Sequence, residues 1–157
     1  MSACRPQQPV AAWRAHATRG LNRPSCQLGL RRWYSPLSVD QPAEELKYED
    51  VKQLTQKPNS DVVLVDVREP QEYENGAIPT AVNIPYKSSP GALGLDPEDF
   101  YDTFGFAKPS LDQKLVFYCL AGIRSTAAEQ LAATYGYQKR GNYVGSYEDW
   151  LNHESQK

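Results

Sequence analysis

The chain has 157 residues, 40% of them hydrophobic and 23% charged, which is room for one domain with an ordinary core. Its formal net charge of -2 hides an asymmetry: residues 1–34 hold six of the seventeen basic residues and no acid, leaving eleven bases against nineteen acids, a formal charge of -8, in the rest. Such an acidic body lacks the basic surface that nucleic-acid binding needs, and no apolar run reaches the ~18 to 20 residues of a membrane-spanning helix, so neither nucleic acid nor membrane is expected as a partner.

Residues 1–34 carry Arg5, Arg14, Arg19, Arg23, Arg31 and Arg32 among Ala, Ser, Leu and Trp, the composition of a mitochondrial transit peptide. Arg32-Trp33-Tyr34-Ser35 resembles the R-x-Tyr/Ser site of the matrix processing peptidase, so a mature chain starting near Ser35 is expected; a basic arm for acidic partners is the alternative. Cys4 and Cys26 fall in this leader, which leaves Cys119 alone in the mature chain. A lone thiol makes neither an intramolecular disulfide nor a multi-cysteine metal site. His16 is in the leader and His153 near the C-terminal end. That leaves no obvious Cys–His pair for cysteine-protease chemistry.

Residues 35–45, polar and with two prolines, read as a linker, and a domain is expected over 46–153 with a tail at 154–157. Glu49 to Gln56 suits a short helix ended by Pro58-Asn59. Val62 to Asp66 is a continuous β-branched run, as in a parallel strand covered on both faces. Glu69 to Asn75 suits a second helix with Pro70 near its start and Gly76 as its stop. Ala81 to Ile84 is a brief strand. Between Tyr86 and Gln113 one helix stands out, with Asp96 as N-cap, Pro97 in the first turn, Glu98 and Asp99 complementing the dipole, and Gly105 at its end. Leu115, Val116 and Phe117 form a strand; Ala128, Leu131, Ala132 and Tyr135 share one face of a long helix that Gly136 terminates. Tyr143-Val144 is a last strand before a helix over 147–152. Strands alternating with helices predict an α/β domain with a mainly parallel sheet of about five strands and helices on both faces.

Cys119 stands between that third strand and the long helix. A short loop with Gly122 can aim its amides at one point, where the helix also directs its positive end, so an anion is favoured there. A thiol at that point is stabilised as the reactive thiolate. Arg124 closes the loop with a planar cation suited to oxyanions. A free cysteine at a strand end can also be a small buried apolar residue; the C-x4-R spacing, the glycine and the helix start favour the reactive thiol.

Several stretches in order carry a family resemblance: Val63 to Glu69 with its Asp-x-Arg, the aromatic-x-x-Gly-x-Ile stretch from Tyr73 to Ile78, Ala-x-Asn-Ile-Pro from Ala81 to Pro85, the loop from Cys119 to Ser125, and Gly145 to Trp150. From Leu46 to Leu151 the chain resembles a single-domain rhodanese of the mitochondrial thiosulfate sulfurtransferase type. The resemblance implies sulfane-sulfur transfer from thiosulfate or a related persulfide to a thiol or cyanide acceptor through a Cys119 persulfide. It implies no cofactor, no metal and no histidine base. Leu120, Ala121, Gly122, Ile123, Arg124 and Ser125 would form the active-site loop. Asp66 and Arg68 would support it, as a charge pair rather than as catalytic groups, and Trp150 would pack in the core.

Two departures stand out: Ala77 where the family often has His, and Ser146 in place of the second glycine of a frequent Gly-Gly pair. Neither is expected to touch the cysteine loop. A phosphatase on a related fold is a rival, but its loop is one residue longer, C-x5-R, to accommodate a tetrahedral phosphate. A sulfur carrier that meets a protein persulfide partner is a second rival. The expected location is the mitochondrial matrix, in soluble form.

Overall fold

The computed structural model describes residues 42–156; the expected transit peptide and most of the linker lie outside the described residues. The elements in chain order are β1 (Glu44–Leu46), α1 (Tyr48–Gln56), β2 (Val62–Asp66), α2 (Pro70–Glu74) and β3 (Val82–Asn83). A 3-10 turn (Ala92–Gly94) and α3 (Pro97–Phe104) follow, then β4 (Lys114–Tyr118), α4 (Ile123–Thr134), β5 (Arg140–Tyr143) and α5 (Ser146–Ser155). The five strands form one sheet in the order β1-β5-β4-β2-β3, with every pairing parallel.

Period-two alternation sorts the strand side chains between two cores. Val65, Leu115 and Phe117 pack with Phe100, Ala128 and Ala132, on the face covered by α3 and α4. Leu64, Val116 and Tyr118 pack with Val51 and Trp150, on the face covered by α1 and α5. Cys119 is two residues beyond Phe117, so parity directs it to the α4 face, where it belongs to the first core.

Several boundaries differ from the sequence expectation, each for a physical reason. β1 begins at Glu44, inside the stretch read as linker, because two of its three residues are exposed and its order comes from backbone pairing with Gly141, Asn142 and Tyr143 of β5. β5 is Arg140–Tyr143 rather than Tyr143-Val144, and it hides behind a polar composition although all four residues are buried. Arg140 is buried because its Nε donates to Glu129 Oε2 at 3.1 Å, and Gly141 leaves the space that Leu46 occupies, since a Cβ there would fall 2.5 Å from Leu46 Cδ1 and displace it.

The same ion pair draws Glu129 inward, so the buried face of α4 is Ser125, Ala128, Glu129, Ala132 and Ala133, with Leu131 only half-buried and Tyr135 exposed. α5 starts at Ser146 and runs past 153 to Ser155. α3 does end at Gly105, whose φ of 76° is left-handed.

Candidate active site

The C-terminal ends of parallel strands share one edge of the sheet, and β4 is paired there with β2 and β5. After Tyr118 the chain turns through Cys119, Leu120, Ala121 and Gly122 into α4. Gly122 permits the turn: its φ is 88°, and a Cβ would lie 2.5 Å from the Val144 carbonyl oxygen.

The loop is held from two sides. The first amides of α5 have no intrahelical acceptors, and two of its early N–H groups bond outward: Tyr147 N–H donates to the Cys119 carbonyl at 3.0 Å and Glu148 N–H to the Leu120 carbonyl at 3.1 Å. With those carbonyls turned toward α5, the amides are free to face the sulfur. Gly122 N–H donates to Cys119 Sγ at 3.1 Å. Burial opposes ionisation of the thiol, but the backbone amides around the sulfur and the neighbouring Ser125 and Ser146 hydroxyls outweigh it and hold Cys119 below the ordinary thiol range.

Arg124 lies at the start of α4, and its fork is engaged. Nη1 donates to Glu72 Oε2 at 2.6 Å and Nη2 to Glu72 Oε1 at 2.9 Å. The hydrogen bonds from Arg124 pull the Glu72 carboxyl down to about 2. Sequence reasoning missed Glu72 because the pair is 52 residues apart and only the approach of α2 to α4 joins them.

Asp66 and Arg68 form a buried bidentate pair at the end of β2, with Nε to Oδ1 at 3.1 Å, Nη2 to Oδ2 at 2.7 Å and side chains 0% and 3% exposed. Arg68 also donates to the Gly76 carbonyl at 2.7 Å and lies 4.0 Å over the Tyr147 ring. The pair thus supports the residue whose amide holds Cys119. Trp150 is buried in the core beneath α5.

The expectation that Ser146 stays clear of the loop does not hold. Its Oγ accepts the Cys119 N–H at 3.2 Å and lies 3.9 Å from Sγ. Proximity in sequence could not reveal this, since 27 residues separate the two and the contact exists only because β5 lies beside β4. Leu120, Ile123 and Val144 are exposed apolar side chains on the loop, on the first turn of α4 and just after β5, and Ile123 is 82% exposed.

Residues 47–153 match the rhodanese-like domain family. The chain is 47% identical over 104 residues to the mitochondrial thiosulfate sulfurtransferase of Saccharomyces cerevisiae, covering 66% of this chain and 70% of that protein. It is 41% identical over 114 residues to a thiosulfate:glutathione sulfurtransferase of the same yeast, covering 73% and 82%. The crystal structure of a single-domain sulfurtransferase from that organism superposes with a TM-score of 0.71 at 42% identity, over 74% of this chain and 95% of the other.

Proposed function

The chain belongs to the rhodanese-like domain family, and on that premise we propose that it is a thiosulfate sulfurtransferase working through Cys119, with the thiol-to-loop geometry as the observation that carries the reading. The Cys119 thiolate attacks the outer sulfur of thiosulfate; the S–S bond breaks and sulfite leaves with the electron pair. The enzyme then holds a Cys119 persulfide. An acceptor thiolate attacks the terminal sulfur, takes it as a new persulfide and returns the Cys119 thiolate. The Gly122 amide, 3.1 Å from Sγ, is preorganised to stabilise negative charge on sulfur in both half-reactions. Glutathione is the proposed small acceptor, since relatives in yeast and human carry it in their names.

The same loop speaks against phosphoryl transfer. A phosphate under attack needs a free guanidinium fork for its equatorial oxygens, whereas Arg124 is bound bidentately to Glu72. Transfer to or from a protein cysteine is a second reading, favoured by the exposed apolar side chains of Leu120, Ile123 and Val144 near the thiol.

Steady-state turnover of thiosulfate with glutathione, cyanide and a protein thiol as acceptors tests the proposal. Sulfite release with a small acceptor and no aryl-phosphate hydrolysis are expected. Turnover with the protein thiol alone would favour the carrier, and Cys119-dependent phosphate release would overturn the assignment. In the same assay Glu72→Gln removes the anion that neutralises Arg124. The KM for thiosulfate should then fall roughly two- to fivefold, the scale of a half-exposed charge interaction, with little change in kcat. A raised KM would show instead that Glu72 holds Arg124 in its working position.

We also place the mature protein in the mitochondrial matrix, on the acid-free leader and on the mitochondrial designation of two yeast relatives. N-terminal mass spectrometry of the native protein should find a chain starting near Ser35; an intact Met1 or Ser2 on a cytosolic protein would remove this assignment.

A further inference from the structure

Among the described residues only Thr80 and Ser146 have a positive φ without being glycine, and Ser146 stands at 56°. Its side chain is 0% exposed. A left-handed backbone is sterically unfavourable for an L-residue and free of that penalty for glycine. What serine adds at this turn is therefore its hydroxyl. That hydroxyl is set among three groups: it accepts the Cys119 N–H at 3.2 Å, donates to the Tyr143 carbonyl at 2.8 Å and lies 3.9 Å from Cys119 Sγ.

A hydroxyl has one proton to donate and two lone pairs. With a neutral thiol the Tyr143 carbonyl is the better acceptor. A sulfur that carries negative charge competes for the proton, because hydrogen bonds to ionised acceptors are the stronger ones. We propose that Ser146 is a positioning residue of the sulfur-transfer site, whose hydroxyl anchors the Cys119 amide and turns its proton toward the sulfur whenever the sulfur is anionic, as thiolate or as persulfide.

The inference deepens the sulfurtransferase reading and rests on it for its purpose, but its physical test needs no turnover. Ser146 opens α5, and the next two residues bond their amides to the Cys119 and Leu120 carbonyls. The hydroxyl is thus carried on the turn that already holds the loop. On the elements packed against that loop the charged groups are Glu69, Glu72, Arg124, the Asp66–Arg68 pair and the Glu129–Arg140 pair, with Glu148, Asp149, His153 and Glu154 on α5. Substitution of Ser146 leaves all of them in place.

The test is the pH dependence of iodoacetamide alkylation at Cys119, followed by peptide mass spectrometry in the full chain so that Cys4 and Cys26 do not contribute. Ser146→Gly removes the hydroxyl and relieves the backbone. It should melt close to the parent's temperature, the relieved backbone offsetting the Cys119 N–H left without its acceptor, yet its alkylation profile should move up by about one pH unit. That shift is roughly a tenfold slower rate below the midpoint, with an unchanged alkaline plateau. Ser146→Ala should show the same shift with a lower melting temperature. A Ser146→Gly profile that superimposes on the parent's would overturn the proposal, as would a shift seen in the alanine variant alone, because either result leaves only a backbone role. If that happens while Cys119→Ser still abolishes transfer, the sulfurtransferase reading stands; if Cys119→Ser retains transfer, the reading itself fails.

Discussion

A Cys119→Ser protein is expected to fold as the parent does and to lose thiosulfate sulfurtransfer by roughly three orders of magnitude or more, the scale seen when a covalent nucleophile is removed. The fold should survive because the exchange is nearly isosteric and an oxygen at this position still accepts the Gly122 N–H that now reaches Sγ at 3.1 Å. The chemistry should not, because a serine hydroxyl in this loop has no base beside it: among the described residues the one histidine, His153, lies on α5, bonded to Asp149 through Nδ1. Intact mass after thiosulfate treatment is the direct measurement. The parent should gain about 32 Da, one sulfur atom held as a persulfide, and the variant nothing. A variant that still gains this mass would place the sulfur on another group.

Arg68→Met is expected to have the largest effect on stability. Arg68 grips Asp66 bidentately, Nε to Oδ1 at 3.1 Å and Nη2 to Oδ2 at 2.7 Å, and adds a bond to the Gly76 carbonyl and a stacked face on Tyr147. Its removal leaves a carboxylate with 0% exposure and no counter-charge. Breaking a buried pair from one side costs about 3–5 kcal/mol, which lowers the melting temperature of a domain this size by roughly 10–20 °C. Replacing both partners together, as Asp66→Asn with Arg68→Met, should recover much of the loss, because no unpaired charge remains. Sulfur transfer should fall with stability in the single variant, since Tyr147 is also the donor to the Cys119 carbonyl. A thermal melt of Arg68→Met within about 2 °C of the parent, well inside the shift of a single lost kilocalorie per mole, would show that the pair contributes little.

Much of the site was legible because its chemistry is local in the chain. Leu115, Val116 and Phe117 announce a strand, Gly122 a turn and Ala128 to Ala132 a helix, so a thiol between them has to meet backbone amides, and it does. Parity along β4 even assigns Cys119 to the α4 face. Asp66 and Arg68 were legible for the same reason: two residues apart at a strand end, they reach each other without help from the rest of the fold.

What the chain order alone determined, then, are the elements whose signals are short-range: β-branched runs, the proline that opens α3 and the glycine that closes it, and the cysteine loop. What only the tertiary structure decided are contacts between residues far apart in sequence, whose types carry no signal of their own. Glu72 reaches Arg124 across 52 positions, and Ser146 reaches Cys119 across 27. β1 gains its order from the backbone of β5, and β5 stays hidden in sequence because Arg140 is neutralised by Glu129 and Gly141 is sized for Leu46. The physical reason is common to all four. A hydrogen bond, ion pair or packing contact depends on the distance between two groups, and for groups on different strands and helices that distance is set by the packing of the sheet and its helices, not by sequence spacing.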